Sequence, residues 1–397
     1  MSTIVILGSG VMGSALTMPL ADNGHDVRLV GTHLDRAIID AIRETGVHPG
    51  LGRELPATVR PFQLEQLDTA FADAEVVLSG VNSSGVRWAG ERLAPLLQPD
   101  QLVITIAKGV SADEQGNLRI LPEVLAEPVR PDVRERVRWA AIVGPSIAGE
   151  VAARRESCVV FCGDDPGALD RLAATFRTDW YHVWTSTDLV GAEICAAAKN
   201  CYALGVGLAE GELERRGEAA GLDRAHNYEA ALFAQGAAEM RQWVALLGGS
   251  PDTALWLPGV GDMYVTSTGG RNVRVGGLLG AGLDFTDAAA RMDNPTLEGA
   301  SAIKIFGGAL VKLTDRGVVA QRDFPLMRHL YEVVALERPL NIPWKCFFGG
   351  EPAGSGEIAA ADARLVDRVG SQGDGETRRG HHRSDSSADV KRRSSHG

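Results

Sequence analysis

Residues 4–13 read Ile-Val-Ile-Leu-Gly-Ser-Gly-Val-Met-Gly, a short apolar run that leads directly into a glycine-rich turn. The apolar run is typical of a buried strand, and a helical pattern follows the turn. In such a turn Gly8 permits the tight bend, Gly10 lets a pyrophosphate approach the backbone, and Gly13 lets helix and strand pack closely. The following helix N-terminus attracts the anion. We therefore expect a dinucleotide site here; the alternative is a tight strand–helix turn without a ligand.

Strand-like and helix-like segments alternate through nearly the first half of the chain. The further strand-like runs are short and almost entirely apolar, as expected of strands covered on both faces; they are 27–30, 76–81, 102–106, 139–143, 158–162 and 181–184. This alternation predicts an α/β fold with a doubly wound, mostly parallel sheet, so residues 1–187 are expected to form a Rossmann domain. Pro19, inside the first helix, removes one hydrogen bond and predicts a kink.

The pattern changes to long helices from Asp188 onward. In the first of them apolar residues recur every three to five positions, as one buried helical face requires. The helical patterns cover 188–215, 225–247, 284–292, 297–315 and 324–338. We therefore expect an all-helical second domain over 188–350. Residues 351–397 are expected to be a disordered polar tail, because the stretch after Gly370 has almost no core-forming residues.

Composition and charge narrow the function classes. The 397 residues carry a formal net charge of −11, which argues against a nucleic-acid partner but leaves room for a small anionic substrate. We find no run of about 18 uncharged apolar residues and no secretory signal, so we expect no membrane span and a cytoplasmic location. The five cysteines lack the spacing of a zinc site and are interpreted as reduced core residues, so no metal is expected.

The end of the second predicted strand bears on the choice of cofactor. An acid at this position would bind the ribose of NAD, but the chain continues Gly31-Thr32-His33-Leu34-Asp35-Arg36. Thr32, His33 and Arg36 suit a 2′-phosphate, so the loop favours NADP over NAD. Asp35 has two alternative roles, capping the next helix or reaching the ribose through a longer loop.

Four further segments carry polar residues in unusual places. Lys108 stands just beyond the end of one predicted strand, and Gly144-Pro145-Ser146 follows another, so both are expected at the carboxyl edge of the sheet, where ligands bind. Lys199-Asn200 interrupts the apolar face of a long helix. Gly261-Asp262 leads through Thr266 to Gly269-Gly270-Arg271-Asn272.

Taken together, these segments resemble the NAD(P)-dependent glycerol-3-phosphate dehydrogenases from about residue 3 to about residue 345. The matching blocks stand in the same order at compatible spacings; they are GSGVMG, AKGV, GPSIAGEV, AAKNCYA, GDMYVTSTGGRN and TLEG. The resemblance implies an oxidoreductase that transfers a hydride between NAD(P)H and a phosphorylated ketone or polyol. Dihydroxyacetone phosphate and glycerol 3-phosphate are the leading pair. Family analogy also suggests a homodimer.

The resemblance implies a role for each matched position. Lys199 matches the catalytic lysine, which exchanges a proton with the C2 oxygen of the substrate, and the implied catalytic set comprises Lys199, Lys108 and Asp262. The implied substrate pocket comprises Lys108, Gly144, Ser146, Lys199, Asn200, Asp262, Thr266, Gly270, Arg271 and Asn272. The cofactor set joins the glycine turn and the loop after the second strand to positions implied by the resemblance; it comprises Gly8, Gly10, Val11, Met12, Gly13, Thr32, His33, Lys108, Ala148, Arg271 and Glu298.

The residue types suit this chemistry. Hydride transfer from a secondary alcohol needs a proton acceptor on the oxygen, and Lys199 serves if burial and Lys108 lower its pKa. The fork of Arg271 suits a bidentate grip on phosphate, and Asn272 adds a neutral donor. Two alternatives without a role in the reaction stay open: Asp262 as a helix cap, and Glu298 as a charge that complements a helix dipole.

The chain departs from the family after the fourth strand. Proline and an aromatic residue are usual there, whereas this chain has Val81-Asn82-Ser83-Ser84-Gly85-Val86, which leaves the cofactor-loop geometry open. A longer polyol phosphate therefore remains an alternative substrate. Two other functions are open as well: a hydroxyacid or opine-type dehydrogenase with a carboxylate grip, and a non-catalytic dinucleotide-binding scaffold.

Overall fold

The computed structural model describes residues 1–217, 225–292 and 297–349. The predicted polar tail, 351–397, lies outside these residues. The first half alternates strands and helices: β1 (Thr3–Leu7), α1 (Val11–Ala15), α2 (Thr17–Asp22), β2 (Asp26–Val30), α3 (Arg36–Thr45), β3 (Val47–His48), β4 (Arg53–Glu54), β5 (Arg60–Phe62), α4 (Leu67–Phe71), β6 (Val76–Ser79), α5 (Val86–Leu93), β7 (Leu102–Thr105), β8 (Val110–Ala112), β9 (Leu118–Ile120), α6 (Leu121–Ala126), α7 (Pro131–Arg134), β10 (Arg138–Val143), α8 (Ala148–Ala152), β11 (Ser157–Gly163), α9 (Pro166–Phe176) and β12 (Tyr181–Ser186).

Eight of these strands form one sheet in the order β12-β11-β10-β7-β6-β1-β2-β5. All neighbouring strands are parallel except β10 and β11, which are antiparallel. The predicted doubly wound, mostly parallel sheet is confirmed. The chain starts in β1 and moves outward in both directions, so the topological switch point lies between β1 and β6. This is where open α/β sheets bind their ligands.

The strands are apolar along their whole length because both sheet faces are covered. Ile4 and Ile6 of β1 belong to one buried cluster, whereas Val5 and Leu7 belong to another on the opposite face. Successive side chains of a strand point to opposite faces, and helices cover each face here. The carboxyl ends of β1, β2, β6, β7 and β10 therefore meet at one open edge.

The second half is helical, as predicted. Its helices are α10 (Leu189–Arg215), α11 (His226–Leu246), α12 (Asp262–Ser267), α13 (Arg271–Gly280), α14 (Phe285–Ala290), α15 (Glu298–Asp315) and α16 (Pro325–Ala335), with short turns at Pro251–Leu255, Leu257–Gly261 and Trp344–Gly349. Helix α10 is buried around most of its circumference. It crosses α13 at glycines: a Cβ on Gly207 would lie 2.3 Å from the Val273 carbonyl oxygen, and one on Gly276 would lie 2.1 Å from that of Leu204.

Several details differ from the sequence-based expectations. The two runs predicted as 76–81 and 102–106 end as strands at Ser79 and Thr105. The helices α12 and α13 were not predicted, because each is short and rich in glycine or hydroxyl residues. Cys346 is exposed, so the interpretation as a core cysteine is wrong for this residue; the other four are buried or half-buried, and all five are free thiols.

No helix in the described part of the chain is both long and apolar enough to cross a membrane. No group of three or more metal-binding side chains was found in residues 1–217, 225–292 and 297–349.

Candidate active site

Two of the three glycines in the turn between β1 and α1 make contacts that leave no room for a side chain. Gly8 has a φ of +115°, and a Cβ on it would lie 2.8 Å from the carbonyl carbon of Gly80. A Cβ on Gly13 would lie 2.3 Å from the carbonyl oxygen of Gly8. A Cβ on Gly10, in contrast, would meet nothing within 4 Å. The space over Gly10 fits the approach of a dinucleotide pyrophosphate to the backbone.

The first helix is interrupted, as Pro19 predicts. Helix α1 ends at Ala15, and a second short helix, α2, begins at Thr17. The loop after β10 lies against the start of α1: the Ser146 hydroxyl is 3.8 Å from the Met12 sulfur. The structure thus brings Ser146 and the following Ala148 beside the glycine turn.

The loop after β2 is held by Asp35. Its Oδ2 accepts hydrogen bonds from the Ser9 amide (3.2 Å), the Thr32 amide (2.9 Å) and the Thr32 hydroxyl (2.9 Å). Its side chain makes no cap bond to helix α3, so the capping alternative is wrong. His33 packs edge-on against Trp88, with ring centroids 5.2 Å apart.

A chain of ion pairs joins the two lysines of the predicted site. Lys199 Nζ lies 2.7 Å from Asp262 Oδ1, and Lys108 Nζ lies 2.7 Å from Asp262 Oδ2. Lys199 also donates to the Thr266 hydroxyl (2.8 Å), and Lys108 donates to the Gly144 carbonyl (3.0 Å). Asp262 begins α12, but both of its carboxylate oxygens accept from lysines. The site thus joins β7, β10, α10 and α12.

Burial changes the pKa of Lys199. Its side chain is 8 % exposed, and that of Asp262 is 2 % exposed. Burial, followed by the positive charge of Lys108, lowers the pKa of Lys199 from 10.5 to about 8, although Asp262 and Glu298 act in the opposite direction. Part of the lysine population is therefore the neutral amine near physiological pH, which is what a group that both accepts and donates protons needs.

Asn272 holds three helices together. Its Oδ1 accepts from the Gly299 amide of α15 (3.1 Å), and its Nδ2 donates to Asn200 Oδ1 of α10 (3.0 Å). A Cβ on Gly299 would lie 2.6 Å from the Asn200 carbonyl oxygen, so the helices meet closely. One amide hydrogen of Asn272 is left for a ligand. The sequence assigned Asn272 to phosphate alone and missed this bridging role.

Arg271 is the exposed cation of the site. It begins α13 directly after Gly270, which has a φ of +102°. Its guanidinium makes no hydrogen bond or ion pair with any of the described residues, although it stands beside the engaged Asn272. Glu298 begins α15, and its charge raises the pKa of Lys199.

After β6, where the sequence departs from the family pattern, a short turn is held by its own hydrogen bonds. Asn82 Oδ1 accepts from the Gly85 amide (3.0 Å) and from the Ser84 hydroxyl (2.8 Å), which closes the short turn Ser83–Gly85. A Cβ on Gly109 would lie 3.1 Å from the Ser83 Cβ, so this turn packs against the loop that carries Lys108. A side-chain cap therefore orders the turn where a proline is usual.

Comparisons with known proteins agree with this arrangement. Residues 3–168 match the family described as NAD-dependent glycerol-3-phosphate dehydrogenase N-terminus, and residues 188–342 match the corresponding C-terminus. The two matches cover both the sheet domain and the helical domain.

Individual relatives and a solved structure point the same way. An NADP(+)-dependent glycerol-3-phosphate dehydrogenase of Archaeoglobus fulgidus is 37 % identical over 73 % of this chain and 83 % of its own length. A glycerol-3-phosphate dehydrogenase [NAD(P)+] of Lysinibacillus sphaericus is 31 % identical over 84 % of this chain and 92 % of its own. The crystal structure of glycerol-3-phosphate dehydrogenase from Coxiella burnetii is 25 % identical, with a TM-score of 0.70, and the similarity covers 92 % of this chain and 99 % of that one.

Proposed function

This chain belongs to the NAD-dependent glycerol-3-phosphate dehydrogenase family, and from that premise we propose that it interconverts dihydroxyacetone phosphate and glycerol 3-phosphate with a nicotinamide dinucleotide. It is an NAD(P)-dependent oxidoreductase that acts on a CH–OH group. The observation that carries the proposal is the Lys199–Asp262–Lys108 chain at the carboxyl edge of the sheet.

Lys199 is the proposed proton donor and acceptor. Its ammonium donates a proton to the C2 oxygen when the ketone is reduced, and its amine takes the proton back when the alcohol is oxidised. Asp262 orients Nζ through a 2.7 Å hydrogen bond and holds Lys108 on its other oxygen. The charge of Lys108 then stabilises negative charge on the substrate oxygen without itself moving a proton.

The phosphate end of the substrate is assigned to Arg271. What supports this is an exposed guanidinium at the start of α13, free of partners among the described residues and next to the Lys199 cluster. A planar fork of N–H donors matches a phosphate group. Asn272 supplies one further N–H, because its remaining groups are bonded to Asn200 and Gly299.

The residues around the glycine turn fit a dinucleotide. The bound nicotinamide supplies the hydride in one direction and takes it in the other. Gly10, Val11 and Met12 line the open side of the turn, where a pyrophosphate fits. We assign a preference for NADP, supported by Thr32 and His33 after β2 and by the 37 % identity to a relative named NADP(+)-dependent. Arg36 has to leave its ion pair with Glu65 to reach a 2′-phosphate.

Two further expectations accompany this proposal. We assign the enzyme to the cytoplasm and expect it to act as a homodimer. Light scattering of the purified protein tests the dimer, and fractionation of cells tests the location.

A substrate panel tests the proposed function. Oxidation of NADPH and of NADH is followed with dihydroxyacetone phosphate, with longer ketose phosphates, with unphosphorylated dihydroxyacetone and with 2-keto acids. We expect dihydroxyacetone phosphate to give the highest kcat/KM, and NADPH to exceed NADH. Faster turnover of a longer ketose phosphate or of a keto acid contradicts the proposed substrate. Tight dinucleotide binding without turnover of any of them contradicts an enzymatic role.

A further inference from the structure

The backbone of Ser9, the second residue of the glycine turn, is held on both sides by side chains from two other segments. Its amide donates to Asp35 Oδ2 (3.2 Å), in the loop after β2. Its carbonyl accepts from His48 Nε2, in β3 (2.9 Å), and from the Ser14 hydroxyl (3.2 Å). Ser9 itself is fully buried. We call Asp35 and His48, with the Ser9 backbone between them, the Ser9 clamp.

His48 can make this contact in one neutral form only. Its Nδ1 accepts a hydrogen bond from the Leu51 amide (3.1 Å), so the ring proton is assigned to Nε2, which donates to Ser9. The ring is 1 % exposed. The backbone carbonyl of His48 accepts from the Gly52 amide (2.9 Å), and this bond closes the turn between β3 and β4. Contacts within the β3–β4 segment thus hold His48 in place, and its Nε2 contacts the glycine turn from there.

The turn between β3 and β4 also lies next to Val11, the residue that follows Gly10 in the glycine turn. A Cβ on Gly50 would lie 3.1 Å from Cγ1 of Val11 and 3.2 Å from Cε1 of His48. Val11 is 45 % exposed and stands at the proposed pyrophosphate position. Ser9 Oγ is buried and has no partner among the described residues, so the turn owes its placement to backbone contacts rather than to this hydroxyl.

The Asp35 side of the clamp connects the turn to the ribose end of the site. The same Oδ2 atom accepts from the amide and the hydroxyl of Thr32, the residue proposed to face the 2′-position of the cofactor. One carboxylate oxygen therefore couples the glycine turn to the end of β2. Hydrogen bonds to a charged acceptor are about twice as strong as neutral ones, so this oxygen dominates the coupling.

We propose that Asp35 and His48 are positioning residues that fix the Ser9 peptide so that the glycine turn is preorganised for the cofactor. This inference rests on the proposed function in one respect, that the ligand over Gly10 is a dinucleotide. Neither side chain contacts Lys199, Asp262 or Lys108. Loss of the clamp therefore weakens cofactor binding, because the turn must be ordered at the moment of binding, and leaves proton transfer intact.

The test compares His48→Ala, His48→Gln, Asp35→Ala and Asp35→Asn with Glu44→Gln, a control that removes a charge from the exposed face of α3. Titration of NADPH and NADH fluorescence gives the Kd of each dinucleotide, and steady-state kinetics at saturating cofactor give kcat and the KM for dihydroxyacetone phosphate. Thermal unfolding identifies variants that do not fold.

We expect Kd for both dinucleotides to rise about tenfold in His48→Ala and Asp35→Ala, as the loss of one strong hydrogen bond predicts, with kcat at saturation changed by less than about twofold. His48→Gln restores most of the affinity because its amide nitrogen can donate to Ser9. Asp35→Asn lies between wild type and Asp35→Ala, since its amide oxygen still accepts but carries no charge.

An unchanged Kd in folded His48→Ala and Asp35→Ala overturns the clamp, as does a fall in kcat without a change in Kd. The proposed function fails separately. If the wild type binds dinucleotides but does not reduce dihydroxyacetone phosphate, the substrate is wrong, and the Kd series still decides the clamp.

Discussion

Lys199 of helix α10 lies 2.7 Å through its Nζ from Oδ1 of Asp262, the first residue of α12. Both side chains are more than nine-tenths buried, and the second carboxylate oxygen of Asp262 is occupied by Lys108. Two cations thus share one anion in a buried site. This excess of positive charge keeps Lys199 poised to lose a proton and gives the site a field that suits an anionic substrate.

The pH dependence of the two reaction directions follows from Lys199. Its pKa is lowered to about 8, chiefly by burial. Reduction of the ketone needs the ammonium, so kcat/KM should fall as the pH rises through about 8. Oxidation of the alcohol needs the amine, so kcat/KM should rise over the same range. Profiles measured in both directions check this, and parallel profiles would exclude Lys199 as the group that titrates.

Asp262→Asn should shift these profiles as well as slow the reaction. The carboxylate raises the pKa of Lys199, so its removal lowers that pKa further. The alkaline limb of ketone reduction should therefore move to lower pH. We expect kcat to fall about a hundredfold, because the amide offers one acceptor oxygen where Lys199 and Lys108 now have one each. A slow variant with an unshifted alkaline limb would mean that Asp262 acts on folding rather than on the lysine.

Arg271→Ala should weaken binding of the phosphate group of the substrate. We expect the KM for dihydroxyacetone phosphate to rise about 10- to 100-fold, the range for one charge-assisted contact, with a smaller effect on kcat. The slow reduction of unphosphorylated dihydroxyacetone should be unchanged. Arg274→Ala, on an exposed position of the same helix, is the matched control. Equal losses on both substrates would place Arg271 outside the phosphate site.

A buried acid of α11 should support stability and not catalysis. Glu239 is fully buried and accepts from the Tyr202 hydroxyl (3.1 Å), the Gln235 amide (2.8 Å) and the first two amides of α16. Burial raises the pKa of Glu239 to about 7 against these four hydrogen bonds, which lower it.

Glu239→Gln replaces one of the two carboxylate oxygens, an acceptor, with an NH2 group. This donor then faces the N–H or O–H donors that the oxygen bound. We expect the free energy of unfolding to fall by about 1–3 kcal/mol, with kcat per folded molecule unchanged. Denaturant unfolding and an activity assay on the folded fraction check this. Glu229→Gln, near the exposed start of the same helix, is the control. A fall in kcat at full folding would tie this cluster to the active site.

The fold was predictable because its signals are local. The run from Ile4 to Leu7 is apolar at every position since both sheet faces are covered, and the glycine pattern of the following turn stands within six residues of the strand. The antiparallel strand β11 was not predictable, because Cys158–Cys162 reads like any other buried strand. Whether a strand runs parallel or antiparallel to its neighbour depends on strands that are distant in the chain.

The site was predictable only in part. Lys199, Lys108, Asp262 and Arg271 were identified by family resemblance, and the structure brings the first three into direct contact. The clamp residue His48 was missed, because a histidine 39 positions after Ser9 follows no periodicity. The bridging role of Asn272 was missed for the same reason: its partners lie on two other helices.

Lys199→Ala is the most direct test of the proton-transfer role. NADPH-linked reduction of dihydroxyacetone phosphate is measured for the wild type, for this variant and for Lys345→Ala, an exposed lysine far along the chain, with and without added small primary amines. We expect Lys199→Ala to lose about 10²- to 10⁴-fold in kcat, to bind NADPH normally, and to regain part of its rate when an amine is added. A folded Lys199→Ala variant that keeps the wild-type kcat would contradict the assignment of Lys199 as the proton donor.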